Sequence, residues 1–196
     1  MTKALLLIDV QKEYFPDGKL ALPGMEAALE QIEALIAHFR AGYQPIVFVQ
    51  HVALDADSEA PFAAFATGTE LHDRLQPEPH DALIAKSSPN AFVQSWLQAR
   101  LQAQGVTELV IAGAMTQICI DSTARGARDF GYAVTVASDA TAAGALEWEG
   151  KAISAAQVQK TFLAALATLM PVRTVAEITA PEPASEAPTP ESDPAP

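Results

Sequence analysis

Residues 107–130, TELVIAGAMTQICIDSTARGARDF, decide the fold of this 196-residue chain and hold its only cysteine. Leu109, Val110, Ile111 and Ala112 form a short apolar run, partly β-branched, that needs burial on both faces, as a central strand of a parallel sheet does. Gly113 ends it. After the turn through Ala114 to Cys119, the apolar positions Ile120, Ala124 and Ala127 recur at helical spacing up to Phe130, and Gly131 supplies a left-handed stop. Cys119 is therefore expected at or near a helix N-terminus, where free backbone N–H groups and the helix dipole favour a thiolate over a thiol.

The same alternation extends outward in both directions. Ala4 to Val10, ALLLIDV, reads as a buried strand with Asp9 at its C-terminal edge, a costly place for an acid unless it is paired or hydrogen-bonded. A loop from Gln11 to Pro23 follows, then an amphipathic helix with Met25, Ala28, Leu29, Ile32, Leu35, Ile36 and Phe39 on one face and Gly42 as its stop. The next strand, Pro45 to Val49, has His51 at its edge. Residues 53–80 show no sustained period and read as a long excursion. A short strand, Ala82 to Ala85, ends in Lys86. Phe92, Val93, Trp96, Leu97 and Leu101 predict a helix closed by Gly105. Beyond the opening stretch come a strand from Tyr132 to Ala137, a helix from about Lys151 to Leu169 with Ala155, Val158, Phe162, Ala165, Leu166 and Leu169 inward, and a last short strand near 172–175. Alternating strands and helices predict a doubly wound parallel sheet in one domain over residues 1–178. Residues 179–196, rich in proline and acid with no aromatic or basic residue, read as a disordered tail.

Composition narrows the partners. Twelve basic against 24 acidic residues give a net charge of -12 and a pI near 4.6, which argues against nucleic acid and anionic membranes and leaves a small molecule as the expected partner. No apolar run is long enough to span a bilayer, and the N-terminus lacks a leader pattern, so a cytoplasmic location is expected. A single cysteine makes neither an internal disulfide nor a CxxC site.

Asp9, Lys86 and Cys119 lie at or just beyond strand ends. In a parallel sheet those ends share one rim, so the three side chains can converge although the sequence separates them. A thiolate can attack a carbonyl, a carboxylate can take and return its proton, and an ammonium supports both anions. The competing reading treats Cys119 as a buried hydrophobe and the charges as a structural pair. Gly126 to Gly131 lacks the Lys-Ser/Thr of a phosphate loop, GAMTQIC lacks the dinucleotide pattern, and the four histidines have no metal spacing. Of these, His51 is kept as a pocket residue. Phe15 is the aromatic candidate for the pocket and Trp96 for the core.

LLLIDVQKEYF, FVQH, GTELHDRL, IAKSSPNAF and IAGAMTQICIDSTARGARDFGYAVTVASDAT, in that order, resemble the isochorismatase-like cysteine hydrolases over nearly the whole chain to about residue 175. The resemblance implies a three-layer α/β/α domain with a six-stranded, mostly parallel, Rossmann-like sheet and an Asp9–Lys86–Cys119 triad. It also implies a cis peptide at Ala114–Met115 that aims the Met115 amide, with that of Cys119, at an oxyanion. A metal-binding branch of the family carries Asp-x-His near the end of the second strand; here Val49 and Gln50 precede His51, so no metal is expected, and no cofactor. The implied activity is hydrolysis of an amide or ureido-type C–N bond of a small molecule through a thioester. Phe15, His51, Thr116, Gln117 and Ile118 are the candidate substrate contacts, and a homo-oligomer is expected. The alternative is a catalytically silent binder or thiol-redox sensor on the same fold.

Overall fold

The computed structural model describes residues 2–54 and 57–181. Eight strands follow in chain order: β1 (Thr2–Ile8), β2 (Ile46–His51), β3 (Ala82–Lys86), β4 (Val106–Ala114), β5 (Ala133–Ala142), β6 (Leu146–Trp148), β7 (Lys151–Ile153) and β8 (Val172–Arg173). Six of them form one parallel sheet in the order β3-β2-β1-β4-β5-β8, while β6 and β7 make a separate antiparallel hairpin. The helices are α1 (Met25–Ala41), α2 (Leu97–Ala103), α3 (Asp121–Asp129), α4 (Ala155–Ala167) and α5 (Val175–Thr179).

Side chains of a strand alternate between faces, and here both faces are apolar. Leu5, Leu7, Phe48, Val110 and Ala112 pack under α1 and α5, whereas Leu6, Ile8, Val49, Leu109 and Ile111 pack under α2, α3 and α4. This is the three-layer arrangement. The chain leaves β1 toward β2 on one side and places β4 on the other, so the order reverses between β1 and β4, the place where open α/β sheets bind ligands. Gly113 makes the close approach there possible: its φ is 120°, and a Cβ would lie 1.9 Å from the Ile8 carbonyl oxygen.

All seven apolar positions read for α1 are buried. Elsewhere the elements shift. The helix expected from Phe92 begins only at Leu97, because Asn90 caps a turn by accepting the Phe92 N–H at 2.9 Å, and Trp96 is 80% exposed rather than core. Residues 151–153 belong to the hairpin, and α4 starts after it at a capping box in which Ser154 and Gln157 satisfy each other's backbone N–H groups. Ala165 and Leu169, expected inward, are exposed. The last strand is two residues long and gives way to α5, which runs one residue past 178. Most of the proline-rich tail, residues 182–196, lies outside the described residues. Among the described residues no helix is long and apolar enough to cross a membrane.

Candidate active site

Four adjacent strands deliver the site. Asp9 follows β1 in a left-handed conformation, φ 51°, with its N–H donated to the Val49 carbonyl at 2.9 Å and its own carbonyl accepting from Gln11 N–H at 2.9 Å. Aspartate tolerates that region better than most residues, and the turn aims its side chain inward rather than along the strand. Lys86 is the last residue of β3 and stands opposite His51 of β2 in the parallel register. Cys119 belongs to a π turn, Thr116–Ile120, that joins β4 to α3, with the Met115 carbonyl accepting both the Ile118 N–H (3.1 Å) and the Ile120 N–H (3.2 Å). The expected simple helix start is thus a wider turn. The Ala114–Met115 peptide just before it is cis.

Lys86 reaches across β2 to join these groups. Its Nζ lies 2.7 Å from Asp9 Oδ2 and donates to Cys119 Sγ at 3.3 Å, with the side chains of Asp9 and Lys86 fully enclosed and Cys119 6% exposed. Asp9 Oδ1 has no hydrogen-bond partner among the described residues. Loss of solvent pushes the Asp9 carboxyl up to about 6, although Lys86 and then Cys119 pull it partly back. Burial, with the Asp9 charge, pushes the Cys119 thiol up to about 12 against the pull of Lys86. At rest Cys119 is therefore a thiol, beside a carboxylate able to accept a proton near neutrality. Burial and then the Lys86 charge hold His51 down at about 4, so its imidazole is neutral.

The other predicted contacts separate. Gln117 is buried, its Nε2 lies 3.5 Å from Met115 Sδ, and its Oε1 has no protein partner among the described residues. Ile118 is exposed. Thr116 is wholly buried and donates its hydroxyl to Gln159 Oε1 at 2.7 Å, while Gln159 Nε2 donates to Thr141 Oγ1 at 2.9 Å. It ties the π turn to α4 and β5. Phe15 stacks on His72 with ring centroids 4.1 Å apart and lines a cavity of about 650 Å³ with Glu13, Phe65 and Gly68, none of the three triad residues being in that wall.

Tyr14, one residue earlier, takes the place beside the triad. It is buried, its hydroxyl is pushed up by burial and then by the charges of Asp9 and Cys119, and its ring meets Phe62 edge-on at 5.2 Å. Phe62 in turn meets the His51 ring at 5.2 Å. These two aromatics were missed because adjacent Tyr14 and Phe15 cannot be told apart by pattern, and Phe62 lies in the aperiodic excursion. Gln11 was also missed as a site-building residue. Its buried carboxamide accepts the His51 N–H at 2.8 Å and donates to the His51 carbonyl at 2.9 Å, clamping the end of β2 to the loop after β1. Among the described residues no group of three or more His, Cys, Asp or Glu side chains is placed to hold a metal ion.

Known proteins share this frame. The isochorismatase domain family matches residues 3–170. The isochorismatase family protein YddQ of Bacillus subtilis (strain 168) is 40% identical over 166 residues, 85% of this chain and 92% of its own. Maleamate amidohydrolase of Pseudomonas putida is 31% identical over 152 residues, covering 68% of each chain. A crystal structure from Oleispira antarctica described as an isochorismatase hydrolase matches with a TM-score of 0.87 at 39% identity, over 92% of this chain and 97% of that one. A match spanning β1 to the end of α4, at this identity and with this sheet order, places the chain in the isochorismatase family of hydrolases.

Proposed function

We propose that this chain is a cysteine hydrolase that cleaves an amide or ureido-type C–N bond of a small molecule through a thioester. The observation that carries the reading is the enclosure of Asp9, Lys86 and Cys119 in one contact network at the sheet's reversal point. The family includes amidohydrolases, and the likeness to maleamate amidohydrolase supports a small amide as substrate.

Asp9 takes the thiol proton as Cys119 Sγ attacks the carbonyl carbon, and the Met115 and Cys119 N–H groups hold the oxyanion, each such donor contributing about 3 kcal/mol. Collapse of the tetrahedral adduct breaks the C–N bond, and Asp9 returns the proton to the departing amine. Water, deprotonated by the same carboxylate, then hydrolyses the thioester to the acid and free thiol. Lys86 stabilises whichever of Asp9 and Cys119 carries the charge. Tyr14 and Phe62 give the pocket an aromatic wall, and Gln117 Oε1 offers a hydrogen-bond acceptor to the substrate.

Ammonia release from a panel of small amides and ureido compounds, with Cys119→Ala as blank, tests the reading. Release that depends on the thiol supports it; release from none of the panel, or equal release by the variant, removes it. The enclosure of Cys119 and its raised thiol favour a second reading, a catalytically silent binder in which the thiol is structural. Iodoacetamide alkylation from about pH 5 to about 10 separates the two: a thiol with Asp9 as its base gains rate as Asp9 ionises near pH 6, whereas a structural thiol reacts slowly throughout that range.

A further inference from the structure

The lysine of the triad has three N–H donors and no acceptor, and the enclosed end of β3 gives it three polar neighbours. Two are Asp9 Oδ2 at 2.7 Å and Cys119 Sγ at 3.3 Å; the third is His51 Nδ1 at 3.1 Å. The sheet order explains why. Lys86 leaves β3 and must cross β2 to reach Asp9 beyond β1, and His51 is the β2 residue paired with it in register. His51 is itself fixed: Gln11 holds both its N–H and its carbonyl, and Val52 N–H donates to the Lys86 carbonyl at 2.8 Å.

We propose that His51 is a positioning residue for Lys86, its Nδ1 accepting the third N–H of the ammonium so that the other two stay directed at Asp9 and Cys119. This rests on the reading of Asp9, Lys86 and Cys119 as the reacting groups, and it moves His51 from substrate contact to support of the lysine. Because Nζ can only donate, Nδ1 must carry the lone pair and Nε2 the proton. A neutral ring is required, and burial together with the Lys86 charge holds it neutral. The charged and titratable groups about this contact are Asp9 after β1, Tyr14 in the following loop, Lys86 on β3 and Cys119 after β4. Without the acceptor, the ammonium is free to turn away from sulfur, and the thiolate loses support.

The single cysteine makes this measurable without a substrate. Iodoacetamide alkylation of Cys119 at pH 8 is compared in the wild type, His51→Leu and His51→Asn; the Asn Oδ1 sits close to where Nδ1 was. The Leu variant is expected to react roughly tenfold more slowly, the effect of about one pH unit in the thiol, and the Asn variant to recover most of the rate. Leu reacting as fast as the wild type or faster overturns the proposal, as does an Asn variant as slow as Leu, since the ring's bulk and not its acceptor would then matter. If His51→Leu does not fold, the wild type carries the test through its imidazole ¹⁵N shifts at pH 7. Nδ1 unprotonated is expected, and the Nδ1–H tautomer overturns the assignment. Amide hydrolysis surviving in Cys119→Ala would instead remove the thioester mechanism while leaving these readouts to decide on His51.

Discussion

The two ends of β3 each meet a fully buried carboxylate, and they treat it differently. At the N-terminal end Asp81 Oδ2 accepts the Glu78 N–H at 2.8 Å and Arg40 Nη2 at 3.1 Å, while its Oδ1 has no hydrogen-bond partner among the described residues; Arg40 also donates to the Gln76 carbonyl at 2.8 Å and approaches Glu78 at 3.2 Å. At the C-terminal end Asp9 has Lys86 on one oxygen and no partner for the other, in a place where burial raises its carboxyl to about 6. A carboxylate gripped by a guanidinium and a backbone N–H anchors the chain. An enclosed acid whose carboxyl is raised by burial, next to a thiol, holds proton affinity that chemistry can use.

The contrast is broken most severely at the nucleophile. Cys119→Ala should lower turnover of any amide substrate by about 10³-fold or more while leaving the fold intact, read as ammonia release and as the thermal midpoint. A crossed pair comes next. Asp9→Asn should cost about 10²-fold or more in kcat, and some stability as well, because it leaves the enclosed Lys86 ammonium without a counter-charge. Asp81→Ala should cost about 2 kcal/mol in urea unfolding, by taking one acceptor from Arg40 and leaving the Glu78 N–H unpaired, with kcat changed less than twofold. Equal losses of kcat in the two variants would mean that the ends of β3 do not differ.

A smaller effect lies in pH. Asp9 binds its proton more tightly folded than unfolded, so between its usual value near 3.8 and about 6 the folded state holds the extra proton and Asp9 makes stability fall as pH rises. His51 works in the opposite sense: its folded value near 4 lies below its ordinary 6.5, so its contribution grows as pH rises through that window. The two partly cancel in the wild type. In Asp9→Asn only the His51 trend remains, so the variant's stability relative to the wild type should climb from pH 4 to 6 and then level off. A pH-independent difference would show that Asp9 is not desolvated. For catalysis the same value predicts that kcat/KM falls below about pH 6 as Asp9 protonates.

The parts of the fold that could be read from sequence are those where burial imposes a period. α1 is buried along one face and the central strands on both, so their apolar residues are forced into 3.6-residue or strand patterns, and the strand ends locate Asp9, Lys86 and Cys119. The β6–β7 hairpin has no such constraint: Leu146 and Trp148 are exposed, and its turn rests on Glu149 and Gly150 at positive φ, a signal that needs Gly150 alone to be noticed. The pocket wall was harder still. Gln11 and Tyr14 act through side-chain contacts to segments 40 or more residues away, the Gln11–His51 clamp and the Tyr14–Phe62 ring pair, and Phe62 meets His51 from within the aperiodic excursion, so no local pattern encodes those.

Trp96 gives the smallest expected effect and the sharpest check on how period was converted to burial. Its spacing with Phe92 and Leu97 suggests a helix face, but the turn set by Asn90 delays α2 until Leu97, and the indole is left largely in water. The turn is held in place from α3: a Cβ on Gly126 would lie 2.4 Å from Asn90 Nδ2, so glycine there is what admits the Asn90 side chain. Trp96→Ser should therefore change unfolding free energy by no more than about 0.5 kcal/mol, whereas Gly126→Ala should displace Asn90 and cost more. Urea unfolding of both variants orders them, and a Trp96→Ser loss of several kcal/mol would mean that α2 begins a turn earlier, with the indole packed in the core.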